Sequence, residues 1–218
     1  MRAILSLAVG AAAIAAAAPA HAQDQAFEFW LNPSVEYGID DDTAIELETA
    51  QRFRSSEDGR EDTYFFRLWA KQDLSDNITL AGAVEKRLND PGSDEIRTMQ
   101  QLSTSHGIFK TRLRLEQRFS EGADQMGLRL RPRVGIGFDL ADEGRWSFRT
   151  DAELFWTLRP RNVGGDTGLT GLRTTVGFGY EVSDRLEVEL AYLRQQDFEN
   201  DAPDVVGHAP LIGSSYSF

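Results

Sequence analysis

Residues 111–133 read TRLRLEQRFSEGADQMGLRLRPR. In the first run Arg112, Arg114 and Arg118 alternate with Leu113, Leu115 and Phe119, and in the second Arg129, Arg131 and Arg133 alternate with Leu128 and Leu130. Successive side chains of an extended strand point to opposite faces, so each run has one apolar face and one arginine face. The polar segment from Ser120 to Gln125 joins them as a loop, which makes the stretch a hairpin with all six arginines on one side. The formal charge of the 218-residue chain is −12, so this basic side must be balanced elsewhere.

The same period of two runs outward in both directions from Phe27 to the C-terminus, and no stretch of comparable length keeps a helical period. One parity is apolar: Phe27, Phe29, Leu31 and Val35; Ile45 and Leu47; Phe66 and Leu68; Ile78, Leu80 and Val84; Ile136; Phe148 and Leu154; Val176 and Phe178; Val188, Leu190 and Tyr192; and Ile212. Residues 94–105 are weaker, being polar on both parities. About eleven candidate strands result, many long enough for a tilted membrane crossing of ~9–11 residues. Tight connections, such as Gly38 to Thr43, Asp73 to Asn77 and Ser183 to Arg185, alternate with roomier ones at Arg54 to Asp62, Ser120 to Gln125, Arg159 to Gly171 and Asp197 to Pro210. That beat is the one outer-membrane barrels show.

The fold expected is therefore all-β, a transmembrane antiparallel up-and-down barrel of about 10–12 strands. Tyr37, Phe53, Phe119, Phe138, Trp146, Trp156, Tyr180, Tyr216 and Phe218 fall on the outward parity near strand ends, as aromatic belts at two water interfaces would. The other parity would line the lumen with charges of both signs. Arg112, Arg114, Glu116, Arg118, Arg129, Arg131, Arg133, Arg149, Asp151, Glu153 and Arg173 are its candidate network, with Arg52, Arg67, Lys71, Glu85 and Arg87 on the same parity. A soluble lipocalin-like barrel would instead turn its apolar face inward. Two features resist the picture. Pro132 removes a ladder donor in mid-strand, so a bulge or an irregular strand is expected there. Eleven is an odd count where bacterial barrels have even ones, which leaves Phe27 to Tyr37 without an assured partner.

Residues 1–22 read as an export signal, with Arg2, an apolar run from Ile4 to Ala18, and Ala20-His21-Ala22 as the cleavage motif. The barrel then occupies residues 23–218. A transmembrane anchor is the alternative, but a run of roughly 15 residues is short for a span of ~20. The absence of cysteine excludes disulfides, thiolate metal sites and cysteine nucleophiles. An acidic chain repels nucleic acid. The partners expected are outer-membrane lipid on the outward face and, through the aromatic C-terminal strand, the barrel-assembly machinery.

The segments RLRLEQRF, GLRLRPRVGIGF, DAELFWTL, VGFGY and LEVELAYLRQQ, in this order, resemble an outer-membrane barrel family of uncharacterised function in Gram-negative bacteria, domain of unknown function 2490. The resemblance spans nearly all of the mature chain. Where members carry Asn-His near the last strand this chain has Gly207-His208, and of the familiar D-Q-N-R run it keeps only Arg173. The resemblance implies a place and a fold, and no reaction, cofactor or metal.

Three chemistries remain to weigh. His106 and His208 would lie at opposite ends of a barrel, so they cannot share a metal; loop acids Glu57, Asp58, Glu61 and Asp62 lack an EF-hand spacing for Ca²⁺. An integral enzyme acting on envelope lipid or exposed peptide would need a nucleophile and base in reach, for which His208 with Ser214 or Ser215 is the available pair. The arginine rows could steer anions through a narrow channel, or they could pair with inward acids and fill the lumen. The expectation is a non-enzymatic barrel, structural or a narrow passive channel.

Overall fold

A computed structural model describes residues 24–54, 62–90, 92–140, 144–200 and 202–218 of the chain. The export signal read at residues 1–22 and the loop acids Glu57, Asp58 and Glu61 lie outside the described residues.

Eleven strands follow one another: β1 (Asp24–Gly38), β2 (Thr43–Arg54), β3 (Asp62–Ser75), β4 (Ile78–Asp90), β5 (Glu95–His106), β6 (Phe109–Ser120), β7 (Gly127–Asp139), β8 (Trp146–Arg159), β9 (Gly168–Ser183), β10 (Leu186–Asp197) and β11 (Val205–Ser217). Sequence neighbours pair antiparallel throughout, and β1 pairs with β11 in parallel to close the barrel. The count of eleven read from the sequence holds, and that seam supplies the partner that Phe27 to Tyr37 lacked. β1 starts at the end of the longer connections and runs beside β11 from Asp24↔Val205 to Glu36↔Ser217. The evenly spaced, slanted bonds of a parallel ladder occupy both edges, so an odd number of strands closes with no edge exposed.

Alternation decides which way each side chain points. In β3, Thr63, Phe65, Arg67 and Trp69 are buried inside while Phe66, Leu68 and Ala70 are exposed outside. Residues 95–106 form a regular strand despite their polarity. On its outer face Thr98 donates to Gln117 of β6 at 2.6 Å and Gln117 donates to Gln100 at 2.9 Å, so amide pairing replaces apolar contact there. Tight turns cap one end. Gly107 takes φ 57°, a left-handed conformation that suits glycine, in the two-residue corner between β5 and β6. Between β1 and β2 the Asp40 carboxyl is held below its usual range by the Thr43 hydroxyl and by the Asp42 amide, which donates to it at 3.0 Å.

Pro132 disturbs one side of its strand. The β6 ladder runs through it in register, Leu113↔Pro132, whereas the β8 ladder skips Arg131 and Pro132 between Leu130↔Trp156 and Arg133↔Glu153 without changing register, the shift at Leu128/Arg129 lying before that gap. The missing N–H thus affects the pairing with β8 only.

Inside, two small apolar clusters interrupt the polar lining: Trp30 with Ala191, Leu193, Ala209 and Leu211, and Trp69 with Ala81, Ala83 and Met99. On the outer face Phe53, Phe119 and Trp156 stand near the longer connections, and Tyr37, Phe138, Trp146, Tyr180, Tyr216 and Phe218 near the tight turns. Trp146 packs on Tyr180 at 4.7 Å between ring centres, and Tyr216 on Phe218 at 4.8 Å.

Candidate functional site

The pairing of β6 with β7 sets arginine against arginine, since Arg112 lies opposite Arg133 and Arg114 opposite Arg131. Like charges directly opposed on one face of a sheet repel. Carboxylates on β5, β6 and β8 resolve most of that repulsion. Glu116, fully buried at 0% exposure, accepts from Arg129 Nε at 3.0 Å, Arg129 Nη2 at 2.7 Å and Arg131 Nη1 at 2.6 Å. Glu153 accepts from Arg112 and from the second fork of Arg131, and stands 3.7 Å from Arg173. Arg131 therefore bridges two carboxylates on strands either side of its own. Such charge-assisted contacts are short and strong, and the wall they build is stiff.

The lattice continues around the barrel. Glu95 takes Arg97, Arg118 at 3.0 Å and the Ser120 hydroxyl at 2.6 Å; Glu85 takes Arg67 and Arg87, the latter at 3.1 Å. Glu48 accepts from Arg67 at 2.6 Å and from the Trp69 indole at 3.1 Å. Toward the tight-turn end Arg149 reaches past β9 to Glu189 on β10, and sits 3.5 Å from Asp151, itself 3.9 Å from Arg133. Gly177 lies between them, and a Cβ there would meet Ala191 at 2.6 Å and the Glu189 carboxylate at 3.0 Å, so the absence of a side chain gives this ion pair its room. All eleven members of the candidate network point into the lumen, where among the described residues all except Arg114, which bonds Gln101, join an ion pair. The acids that serve β6 and β7 stand on the same or adjoining strands rather than across the lumen.

Inward aromatics complete the wall. Arg52 lies 3.8 Å over the ring of Trp30, Arg67 and Arg87 within 5.2 Å of Phe65, and Arg131 4.7 Å from Phe155. These rings hold guanidinium planes by cation–π attraction. They were not singled out from sequence, although Trp30, Phe65, Trp69 and Phe155 share the parity of the arginines. Glu95 and Arg97 were missed as well, because they fall in the segment polar on both parities. So was Arg161, a loop residue, which alternation cannot place.

The lumen is not filled. A central cavity of about 770 Å³ is lined by fourteen arginines against six carboxylates, Glu48, Asp151, Glu153, Asp166, Asp197 and Glu199. A second cavity of about 400 Å³ shares Trp30, Arg52, Arg54, Gln195 and Asp197 with it and reaches Val205 at the long-connection end. A third of about 270 Å³ shares Asn32, Arg149 and Leu211 and extends to Glu187, Gly213 and Ser215 near the tight turns. The β8–β9 connection lies over the upper mouth. Arg161 donates to Glu95 at 3.1 Å and to Ser120 Oγ at 2.9 Å, and the Val163 amide donates to Asp124 at 2.9 Å.

The histidine chemistry weighed from sequence finds no geometry. His208 points outward, where it stacks on Phe27 at 5.5 Å and bonds Tyr192 and Gln25. Ser214 and Ser215 lie six and seven residues further along the same strand, roughly 20 Å away at ~3.3 Å per residue. His106 ends β5 at the opposite end of the barrel. Among the described residues no three His, Asp or Glu side chains gather as a metal site would need.

None of the curated proteins matches the chain. The family described as "Protein of unknown function (DUF2490)" matches residues 27–206, from the outward phenylalanine of β1 to the start of β11. With its closed eleven-stranded barrel, the chain belongs to that family.

Proposed function

We propose that the chain is an outer-membrane β-barrel of a Gram-negative bacterium that provides a narrow, non-enzymatic passage for small polar solutes. The observation that carries this reading is the opposition of its two faces: an exposed apolar outside around an inside that is charged, paired and hollow. Leu190 is 63% exposed and Phe66, Leu68, Val84 and Val134 each more than half, a pattern that suits hydrocarbon and would be costly in water. The export signal read at residues 1–22 supports the same destination, and the aromatic terminus supports engagement of the barrel-assembly machinery.

The passage follows β1, β9, β10 and β11, where Gly207, Gly213 and Ser215 stand inward in place of arginines, while the room at Gly177 and Gly179 is taken by Glu189, Glu187 and Ser147. The three adjoining cavities support a route from mouth to mouth, with the β8–β9 connection narrowing its upper end. Single-channel recording with refolded protein in a planar bilayer tests the proposal. Small discrete conductance steps are expected, and folded protein that never conducts would end the channel reading.

A further inference from the structure

We infer that the lumen contains a binding site for a small phosphate-bearing anion, centred on Arg52 with Arg87 and Arg173. The inference deepens the passage reading, and rests on it only for the route by which the anion arrives.

Charge is the first argument. The central cavity presents fourteen arginines to six carboxylates, and the glutamates beside it, half-buried Glu28 and buried Glu85, Glu95 and Glu116, still leave the arginines in excess. In surroundings of low dielectric that excess repels itself far more strongly than it would in water.

The second argument is where the excess collects. Arg52 is 8% exposed, lines both the central and the upper cavity, and among the described residues its Nε has no acceptor and its guanidinium forms no ion pair, the Glu28 carboxylate that attracts it being bonded to Arg54 and Trp30. A buried cation left in that state is strongly unfavourable. Its neighbours are cations in turn. Arg173 bears on the same Trp30 ring at 4.9 Å, and Arg87 on the same Phe65 ring at 5.2 Å. Neither has a carboxylate to itself. Arg87 shares Glu85 with Arg67, and Arg173 bonds Gln195 at 3.1 Å while Glu153 serves Arg112 and Arg131.

The third argument is shape. Planar guanidinium forks present paired N–H groups that match the oxygens of phosphate, and a dianion answers more than one cation at once. Trp30 and Phe65 fix the planes of Arg52 and Arg87 before anything binds, which lowers the ordering cost. A cavity of about 770 Å³ is of the size that holds a small organic ligand, so a phosphate monoester fits as well as inorganic phosphate.

The test uses the full barrel refolded in phosphate-free detergent, with inorganic phosphate titrated at constant ionic strength and unfolding followed thermally. Saturable stabilisation by phosphate, absent with chloride, is expected. Arg52→Met removes the unpaired charge and keeps the stacking volume, so it should fold and bind phosphate at least about tenfold more weakly. Arg173→Gln is the second variant, with the same expected loss, should the first not refold. Lys86→Gln, on the outward face away from the cavities, should bind as the parent does. Anionic phospholipid added to the micelles at equal phosphate should give no Arg52-dependent effect, which separates a free anion from a headgroup. Equal stabilisation by chloride, undiminished binding in the Arg52 and Arg173 variants, or preference for a dicarboxylate over phosphate would overturn the inference. Binding without conductance sinks the passage and keeps the site, whereas conductance without binding does the reverse.

Discussion

Glu116→Gln removes one charge from a fully enclosed point of the lumen wall, and its cost can be worked from three hydrogen bonds. The parent carboxylate accepts twice from Arg129 and once from Arg131, all between 2.6 and 3.0 Å, at 0% exposure. An amide keeps one acceptor oxygen and turns its NH₂ group toward the other arginine. Arg131 retains Glu153, but among the described residues Arg129 has no other carboxylate bonded to it and falls back on the ring of Phe155 at 4.8 Å. Breaking a buried ion pair by removing one partner costs about 3–5 kcal/mol, and the adjoining cavity, which lets water reach Arg129, places this case near 3 kcal/mol. The comparison is Lys86→Gln, which breaks the Lys86–Asp94 pair at 2.6 Å on an exposed rim and should cost under ~1 kcal/mol. Urea unfolding of the refolded barrels, read by loss of the compact gel band and by tryptophan fluorescence, gives both numbers. The Glu116→Gln, Arg129→Gln double variant should be less destabilised than the sum of its parts. A Glu116→Gln cost within ~1 kcal/mol of the Lys86→Gln cost would show that the lattice is solvated and does not brace the wall.

Three further outcomes follow from the geometry. Leu190→Arg, on the outward face in the middle of β10, should cost about 2–4 kcal/mol in a lipid vesicle, and near-neutrality there would argue against hydrocarbon contact. Gly135→Ala places a methyl 2.6 Å from the Thr150 carbonyl and from Asp151 Cβ, so β7 and β8 must part; about 1–3 kcal/mol is expected in the urea assay, and an unchanged midpoint would contradict the close approach of these strands. Arg161→Ala releases the β8–β9 connection from Glu95 and Ser120, and should raise single-channel conductance or its open fraction, whereas an unchanged trace would relieve that connection of any gating role.

Much of the fold was legible because a strand with one face in the lumen writes its geometry into every second residue. The hairpin of β6 and β7, with the facing of its two sides, could be read from its leucines and arginines alone. The same logic failed where both parities are polar: β5 hides Glu95 and Arg97 inside while Thr98 and Gln100 pair on the outside, and only the partner strand distinguishes the two faces. Closure was not legible either, since the parallel β1–β11 seam depends on which edges remain after ten antiparallel pairings rather than on any local pattern in Phe27 to Tyr37. The charge balance of the lumen needed three dimensions. Alternation shows acids and arginines sharing the inward parity but not where along the barrel each stands; several acids, among them Glu46 and Glu187, lie toward the tight-turn end, which leaves the central cavity basic.

The account stands or falls on the outward face meeting lipid. Fractionation of expressing cells measures this directly, by washing envelopes with urea and then extracting with detergent. The protein should remain in the outer-membrane fraction through the wash and leave it only with detergent, migrating as a compact, heat-modifiable species. Recovery in the soluble periplasm without detergent would contradict the membrane barrel.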